Sequence, residues 1–540
     1  MEGGMKGISR IIKVTAALMI LSCGLVSSIT SYAGENAKDT KFVILHTNDV
    51  HGYMEDSDSC LGMTAVAQLK KDYEEQGYDV LLMDAGDMLQ GNIFAGYSQG
   101  KSVVSVMNAA GYDVAALGNH DFDYGSDVLE ERISEMNFPA LAANITVDAT
   151  GEPFAQENEV FILSDGTKLG VFGLDTPSTE TTSTPKNTAG LSFASEEELY
   201  AVAQAQIDDL KNQGCSLIVC LGHLGEKNAV SEINAEKVVE NTRGLSILID
   251  GHDHEKENQI VKDLEGNDIL IVEAGSYLKC IGILTYEDGR FTDSLVEAGT
   301  YTGKDPEVTK TVAGISAEIE AALGETVAFT KWELDCDAMD KESNLGDLVA
   351  DSIYWQVKQT GAAPDAAIVN GGALRSSIHA GEIRMLDIMD AFPFNNQLCT
   401  VKVTGAELLE ALEAATQITP KSPLPQVSQI QYTLNTSVPY QKGEQYPDSM
   451  YYAPAAPGTR VTITEVGGKP FDPEATYTIA TIDFIASGGD SFYVFAKAGA
   501  ATKVYVGYLD NEGLVNYLKT ELGGTIPEIY AKPQGRIVVK

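Results

Sequence analysis

The stretch Phe42-Val43-Ile44-Leu45-His46-Thr47-Asn48-Asp49-Val50-His51 sets an apolar run directly ahead of a carboxylate and an imidazole two residues apart. The arrangement recurs along the chain. Val80 to Met83 leads to Asp87, and Val114 to Leu117 leads to Asn119 and His120. Leu217 to Leu221 leads to His223, and Ile247 to Ile249 leads to His252 and His254. Short β-rich apolar runs spaced in this way predict buried strands of an α/β sheet. Residues just beyond the carboxyl ends of such strands meet at one sheet edge, where ligands bind. The chain has 7 histidines, and His51, His120, His223, His252 and His254 all fall at these strand ends. That concentration points to a catalytic metal centre.

At 540 residues the chain exceeds one ordinary core, so two domains are expected. The formal net charge of −41 fits an acidic, soluble surface. It argues against sequence-independent binding of nucleic acid, because no basic stripe is present to displace counterions. A small anionic substrate would need local positive charge, which bound divalent cations supply. At the N-terminus, Lys6, Arg10 and Lys13 precede the apolar run Val14 to Val26, and Ser31-Tyr32-Ala33 forms a small-x-small site before Gly34. This pattern predicts a signal peptide over residues 1–33. A second reading places a lipid anchor on Cys23, within the loose lipobox Ile20-Leu21-Ser22-Cys23-Gly24. No later stretch reaches the ~18 apolar residues of a membrane span. The expected location is therefore secreted, periplasmic or tethered at the cell surface. Cys60, Cys215, Cys220, Cys280, Cys336 and Cys399 show no zinc-finger spacing. Buried thiols are expected, and one disulfide stays open.

Residues 40–300 alternate strand runs with helical patterns, for instance at Leu61–Gln76, Ser102–Ala110 and Glu196–Gln213. A linker helix is expected within 301–325, and a second α/β unit over 326–540. Within the second unit, the Pro/Tyr-rich stretch from Val438 to Arg460 is expected to be an irregular surface loop.

Asp49, His51, Asp87, Asn119, His223, His252 and His254 make a candidate ligand set for two cations. Asp87 has two oxygens with which to bridge them. Mixed oxygen and nitrogen donors suit Zn²⁺ or Mn²⁺, and two such ions ~3.5–4 Å apart activate water and polarise a phosphoryl group. A single Asp-x-His or Gly-Asp pair is more often a turn than a ligand. Five pieces in one order, each after a strand, are hard to obtain by chance.

The stretches Leu45-His46-Thr47-Asn48-Asp49-Val50-His51-Gly52, Asp84-Ala85-Gly86-Asp87, Gly118-Asn119-His120-Asp121-Phe122-Asp123, Gly222-His223 and Gly251-His252-Asp253-His254 resemble those of the calcineurin-like metallophosphoesterases. The opening Leu45-His46-Thr47-Asn48-Asp49, with Leu141-Ala142-Ala143-Asn144, narrows the resemblance to the 5′-nucleotidase family. The resemblance implies a four-layer αββα metallophosphoesterase domain followed by an α/β substrate-binding domain. It implies that Asp49, His51, Asp87 and His254 hold one metal and that Asp87, Asn119, His223 and His252 hold the other. His120 would stabilise or protonate the leaving group, oriented by Asp123. His254 stands where family members often carry Gln or Asn.

In the second unit, Asn370-Gly371-Gly372-Ala373-Leu374-Arg375 follows the apolar run Ala366 to Val369. Glycines let the backbone approach a ligand, and Arg375 has the fork to grip a phosphate. The stretches Phe392-Pro393-Phe394-Asn395 and Phe484-Ile485-Ala486-Ser487-Gly488-Gly489-Asp490 offer two phenylalanines beside tight loops. They are either core residues or a clamp on a planar base. The resemblance favours the clamp: Phe394 and Phe484 would stack on the base, Asp490 would bind ribose hydroxyls, and Asn370 and Arg375 would meet the ribose or phosphate. Two departures stand out. Met339, with Lys341 nearby, occupies a position where relatives commonly carry a further arginine, and Asn395 replaces a glycine. Both bear on substrate preference.

The resulting expectation is an exported two-metal phosphohydrolase that acts on nucleoside 5′-monophosphates, by in-line attack of a metal-bridging hydroxide, with breadth toward UDP-sugars or other nucleotides. The alternatives are a 2′,3′-cyclic-nucleotide 2′-phosphodiesterase with 3′-nucleotidase activity and a nucleotide-binding surface protein that has lost catalysis. With metals on one unit and base recognition on the other, catalysis requires the units to close on each other.

Overall fold

A computed structural model describes residues 31–32, 40–183, 186–194, 197–225, 233–417, 419, 423–447, 449 and 451–540. Cys23 and nearly all of the expected leader lie outside these residues. Among the described residues, no helix is long and apolar enough to cross a membrane.

The first domain is built on two stacked sheets. One has seven strands, with Phe42–Thr47, Asp79–Asp84, Val114–Ala116 and Ala140–Leu141 running parallel and side by side. The other has six, including the parallel strands Lys168–Asp175, Leu217–His223, Ile247–Ile249 and Asp268–Ala274. Strand alternation decides which layer each side chain enters. Phe42 and Ile44 face the second sheet and share a core with Val171, Val219 and Ile249. Val43 and Leu45 point the other way, onto the helices Gly62–Glu75 and Lys101–Ala110 through Val66, Leu69, Val103 and Val106. On the far side, Ile218 and Cys220 pack against Leu199, Ala203 and Ile207 of the helix Glu197–Asn212. The order is therefore helix, sheet, sheet, helix. It brings the carboxyl ends of both sets of parallel strands to one edge.

The helix Pro306–Leu323, expected as a connector, adds to this domain. Asp305 caps its first turn by accepting from Glu307 N and Val308 N, and Pro306 takes the first helical position. Val308, Val312 and Ile319 join the core that holds Leu45. At its other end, Glu320 pairs with Arg384 of the second domain at 3.0 Å.

The second domain carries a five-stranded sheet in the order 426–428, 366–369, 476–482, 397–404, 504–509. The helix Asn344–Gln359 is capped by Ser343 and buries Leu345, Leu348, Ile353 and Val357 in the same core. The stretch 438–460 departs from the expected irregular loop. Lys442–Gln445 pairs antiparallel with Tyr452–Pro454. Tyrosine packing makes this possible, because Tyr446 stacks on Tyr493 at 4.6 Å and is buried with Tyr451 against Ala414. All six described cysteines are free thiols, and five of them are buried.

Candidate metal centre and nucleotide cleft

Each expected ligand stands on the turn that follows a parallel strand, or at the strand's last residue. Asp49, His51, Asp87, His252 and His254 have φ of 48°, 48°, 59°, 96° and 62°. Residues other than glycine seldom adopt positive φ, and such conformations persist where the surroundings enforce them, typically at functional sites. The enforcement here is a lattice of backbone bonds between turns. Asp49 N donates to Gly86 O at 3.0 Å, His51 N to Asp87 O at 2.9 Å, and Tyr277 N to Asp49 O at 2.8 Å. Gly118 is required by close approach: a Cβ there would lie 2.4 Å from Asp87 Oδ1.

The side chains converge. His223 Nε2 lies 3.2 Å from Asp87 Oδ2, and His51 Nε2 lies 3.6 Å from the same oxygen. His254 Nε2 lies 3.4 Å from Asp49 Oδ1 and 3.1 Å from His51 Nε2. Asn119 Oδ1 lies 2.9 Å from His252 Nδ1 and 3.3 Å from His223 Nε2. Ligand atoms of Asp49, His51 and His254 lie within 4.8 Å of one another, as do those of Asp49, Asp87 and His223.

This set fits divalent cations. Asp49 Oδ1 is buried with no hydrogen-bond partner among the described residues, and it faces His254 and His51. His51 Nδ1 donates to Gln90 O at 2.7 Å and His223 Nδ1 donates to Ala85 O at 2.8 Å. Those bonds leave each Nε2 lone pair turned inward, the usual orientation of a liganding imidazole. Burial pushes the His51 pKa down to about 3, so its ring is neutral and able to ligate. Burial opposes charge on Asp49, but His254 and His223 beside it hold its carboxyl below the usual range. Asp49 Oδ2 is occupied separately, accepting from Asn48 Nδ2 at 2.7 Å and His252 N at 3.0 Å.

His120 sits at the rim and faces both domains. Its Nδ1 donates to Asp123 Oδ2 at 2.7 Å, and its Nε2 accepts from Arg375 Nη2 of the second domain at 3.1 Å. Burial works against the imidazolium, but Asp123 and Asp87 outweigh it and raise the His120 pKa. Ser183 Oγ donates to the other Asp123 oxygen at 3.1 Å.

A cavity of about 200 Å³ opens beside His120 between the domains, lined by Asn119, His252, Asn370, Arg375, Phe394, Phe484 and Asp490 among others. Both phenylalanines are half-buried rather than core residues. The Arg375 guanidinium lies 5.0 Å from the centroid of the Phe394 ring, and Asn370 Nδ2 donates to Asp490 Oδ2 at 2.6 Å. Gly489 lets Phe484 lie flat on the loop, since a Cβ there would come within 2.4 Å of the ring. Met339 is 40% exposed and is not among the lining residues, and Lys341 is held by Asp337 at 2.7 Å. Neither replaces the missing arginine in the cavity.

Residues 42–256 match the family described as calcineurin-like phosphoesterase, and residues 324–497 match the 5′-nucleotidase C-terminal domain. The chain belongs to the 5′-nucleotidase family. Protein UshA of Escherichia coli (strain K12) is 26% identical over 563 residues, covering 93% of this chain and 95% of that protein. Trifunctional nucleotide phosphoesterase protein YfkN of Bacillus subtilis (strain 168) is 27% identical over 92% of this chain, which spans 34% of YfkN's length. The crystal structure of a 5′-nucleotidase precursor from Thermus thermophilus superimposes with a TM-score of 0.78 at 26% identity, covering 92% of this chain and 99% of that one. With both domains matched, the chain is a metal-dependent phosphoric monoester hydrolase of the nucleotide phosphoesterase kind.

Sequence reasoning passed over several residues of the site. Asp121 accepts from the backbone N–H groups of Asp87, Met88, Leu89 and Gly118 at 2.8–3.1 Å. It thereby fixes the turn that carries Asp87. It stands inside the quoted Asn119-His120-Asp121 motif, so a carboxylate beside two site residues was its only signal. Ser183, Asn396 and Tyr277 carried no signal at all. The Tyr277 ring sits 5.1 Å from His254 and 5.6 Å from His51.

Proposed function

We propose that this chain is an exported two-metal enzyme that releases phosphate from nucleoside 5′-monophosphates. One observation carries the reading: a single interdomain cavity is lined by His120 and Arg375 together with Phe394, Phe484 and Asp490. That combination of groups suits a phosphate joined through a ribose to a planar base.

Asp49, His51, Asp87 and His254 would hold one divalent cation, and Asp87, Asn119, His223 and His252 the other. Zn²⁺ and Mn²⁺ suit this mixed donor set. When bound, such ions supply Lewis-acid charge at the phosphoryl group. Arg375 binds a non-bridging phosphate oxygen in place of its present partner, His120 Nε2, which frees that nitrogen to meet the departing ribose 5′-oxygen. Asp123 stabilises the imidazolium, so that His120 both protonates and electrostatically supports the leaving group. Asn370 and Asp490 receive the ribose hydroxyls, and the two phenylalanines stack on the base. With Met339 outside the cavity and Lys341 tied to Asp337, Arg375 is the one arginine or lysine lining it among the described residues, which favours monophosphates over diphosphates. Export is supported by the basic and apolar N-terminal leader.

The test is phosphate and nucleoside release from AMP, 3′-AMP, 2′,3′-cyclic AMP, ATP and UDP-glucose, each with Mn²⁺, Zn²⁺ or EDTA. Metal-dependent turnover highest on AMP is expected. Preference for the cyclic or 3′ substrate would replace the 5′-monophosphate assignment, and metal-loaded protein without turnover would overturn the enzyme reading.

A further inference from the structure

Tyr277 stands on the turn between the strands Asp268–Ala274 and Cys280–Glu287 and is not among the candidate metal ligands. Its backbone is strained. Tyr277 has φ of 60° and Leu278 of 50°, conformations that residues other than glycine keep only where their surroundings enforce them. Here the first domain enforces them. Tyr277 N donates to Asp49 O at 2.8 Å, and Leu61 N donates to Leu278 O at 2.9 Å. The ring is then set by three others, lying 4.6 Å from Tyr53, 5.1 Å from His254 and 5.6 Å from His51. The residue is half-buried, and its hydroxyl meets the second domain. Burial raises the Tyr277 pKa, and the Arg375 guanidinium beside the phenol opposes that rise by its charge and by a hydrogen bond.

Arg375 has few other restraints. Its Nη2 donates to His120 Nε2 at 3.1 Å, and its Nε is buried without a hydrogen-bond partner among the described residues. Its backbone N–H donates to Ala391 O at 3.0 Å, which leaves the side chain free to turn. When a phosphoryl oxygen replaces His120, the guanidinium loses that bond at the moment it must be held still. A phenol oxygen accepts from a guanidinium and keeps its own O–H as a donor.

We propose that Tyr277 is a positioning residue for the phosphate: its hydroxyl holds the Arg375 guanidinium over the metal edge when the substrate displaces His120. The hold spans the domain boundary, since the tyrosine belongs to the first domain and the arginine to the second. It bears on a departure in this chain, because Met339 is 40% exposed and outside the cavity, which leaves Arg375 to grip the phosphate without a second arginine. This inference rests on the 5′-nucleotidase reading and deepens it by naming how a lone arginine is kept in place.

The experiment compares the metal-loaded wild type with Tyr277→Phe, Arg375→Ala and the double variant. Each is measured by kcat and KM for AMP, by calorimetric titration with inorganic phosphate, and by elemental analysis for metal. Tyr277→Phe keeps the ring against His254 and Tyr53 and removes the oxygen alone. It should raise KM and the phosphate Kd about tenfold or more, as loss of a hydrogen bond to a charged group does, with kcat and metal content little changed. On the Arg375→Ala background the same substitution should lower kcat/KM no further, because a residue that acts through Arg375 then has nothing to hold. An unchanged KM and Kd in Tyr277→Phe, a loss of metal with it, or a full effect that persists without Arg375 overturns the proposal. AMP turnover by the wild type would leave the 5′-nucleotidase reading intact in each case. If the wild type turns over no nucleotide, phosphate titration decides. Weaker binding by Tyr277→Phe would keep the positioning role and remove the hydrolytic reading, whereas equal binding would remove both.

Discussion

The metal edge of the first domain and the nucleotide cleft of the second are built by opposite strategies. At the metal edge, every candidate ligand comes from one domain and is fixed by backbone: five positive-φ residues, cross-turn N–H bonds, and carbonyls at Gln90 and Ala85 that orient two imidazoles. The cleft has one wall in each domain. His120 meets Arg375, Ile93 N donates to Asp390 at 3.0 Å, and Lys186 lies 3.5 Å from Asp483, all across the boundary. The candidate ligands are thus preorganised inside one domain, whereas the cavity that joins them to Phe394, Phe484 and Asp490 exists only where the two domains meet. Preorganised donors cost no rearrangement at the moment of reaction, and a cleft that assembles from two domains admits substrate and releases product by opening.

If this contrast is right, damage at the metal edge should abolish turnover, and damage in the cleft should mainly weaken binding. The largest effect is expected from Asp87→Ala, which removes the oxygen shared by His223 and His51. Turnover should fall to background with loss of bound metal, measured by elemental analysis beside phosphate release. Retained metal with retained turnover would break the comparison. Next is His120→Ala, expected to lower kcat about 10²–10⁴-fold while AMP still binds in calorimetric titration. A loss confined to KM would move His120 from chemistry to recognition. Phe484→Ala should raise KM by about tenfold, as loss of one stacking partner does, with kcat little changed. The smallest effect is expected for Lys186→Ala. Its side chain is 64% exposed, and surface pairs of this kind contribute at most about 1 kcal/mol, so KM should rise less than about fivefold. A larger rise would mean that the interdomain bridge governs closure.

The strands and their ligands were legible because the signal is local. Apolar runs such as Val80–Met83 and Leu217–Leu221 lie wholly within strands, and a ligand placed two or three residues past a strand end is carried to the sheet edge by the strand itself. Asp121 was missed because its role is to accept four backbone N–H groups, an arrangement that appears only once the turns have met. The stretch 438–460 was misjudged because proline and tyrosine density reads as loop, whereas the rings of Tyr446, Tyr451 and Tyr493 pack against the helix Gly405–Ala414 through Ala414. Asn396 was invisible for a related reason. Its Nδ2 donates to Asp510 Oδ2 at 3.0 Å, which fixes the amide, and Asp510 lies 114 residues further along the chain.

By itself the sequence determined the α/β layering, the order of the strand-end ligands and the presence of two phenylalanine-bearing loops, because each follows from residues adjacent in the chain. Only the tertiary structure decided which oxygen of Asp49 and which nitrogen of His51 and His223 face the site, that Arg375 reaches His120 from the other domain, and that the Asn396 amide is held in one orientation. Those outcomes depend on groups far apart in sequence competing for the same few hydrogen bonds in space, and no local pattern encodes which of them prevails.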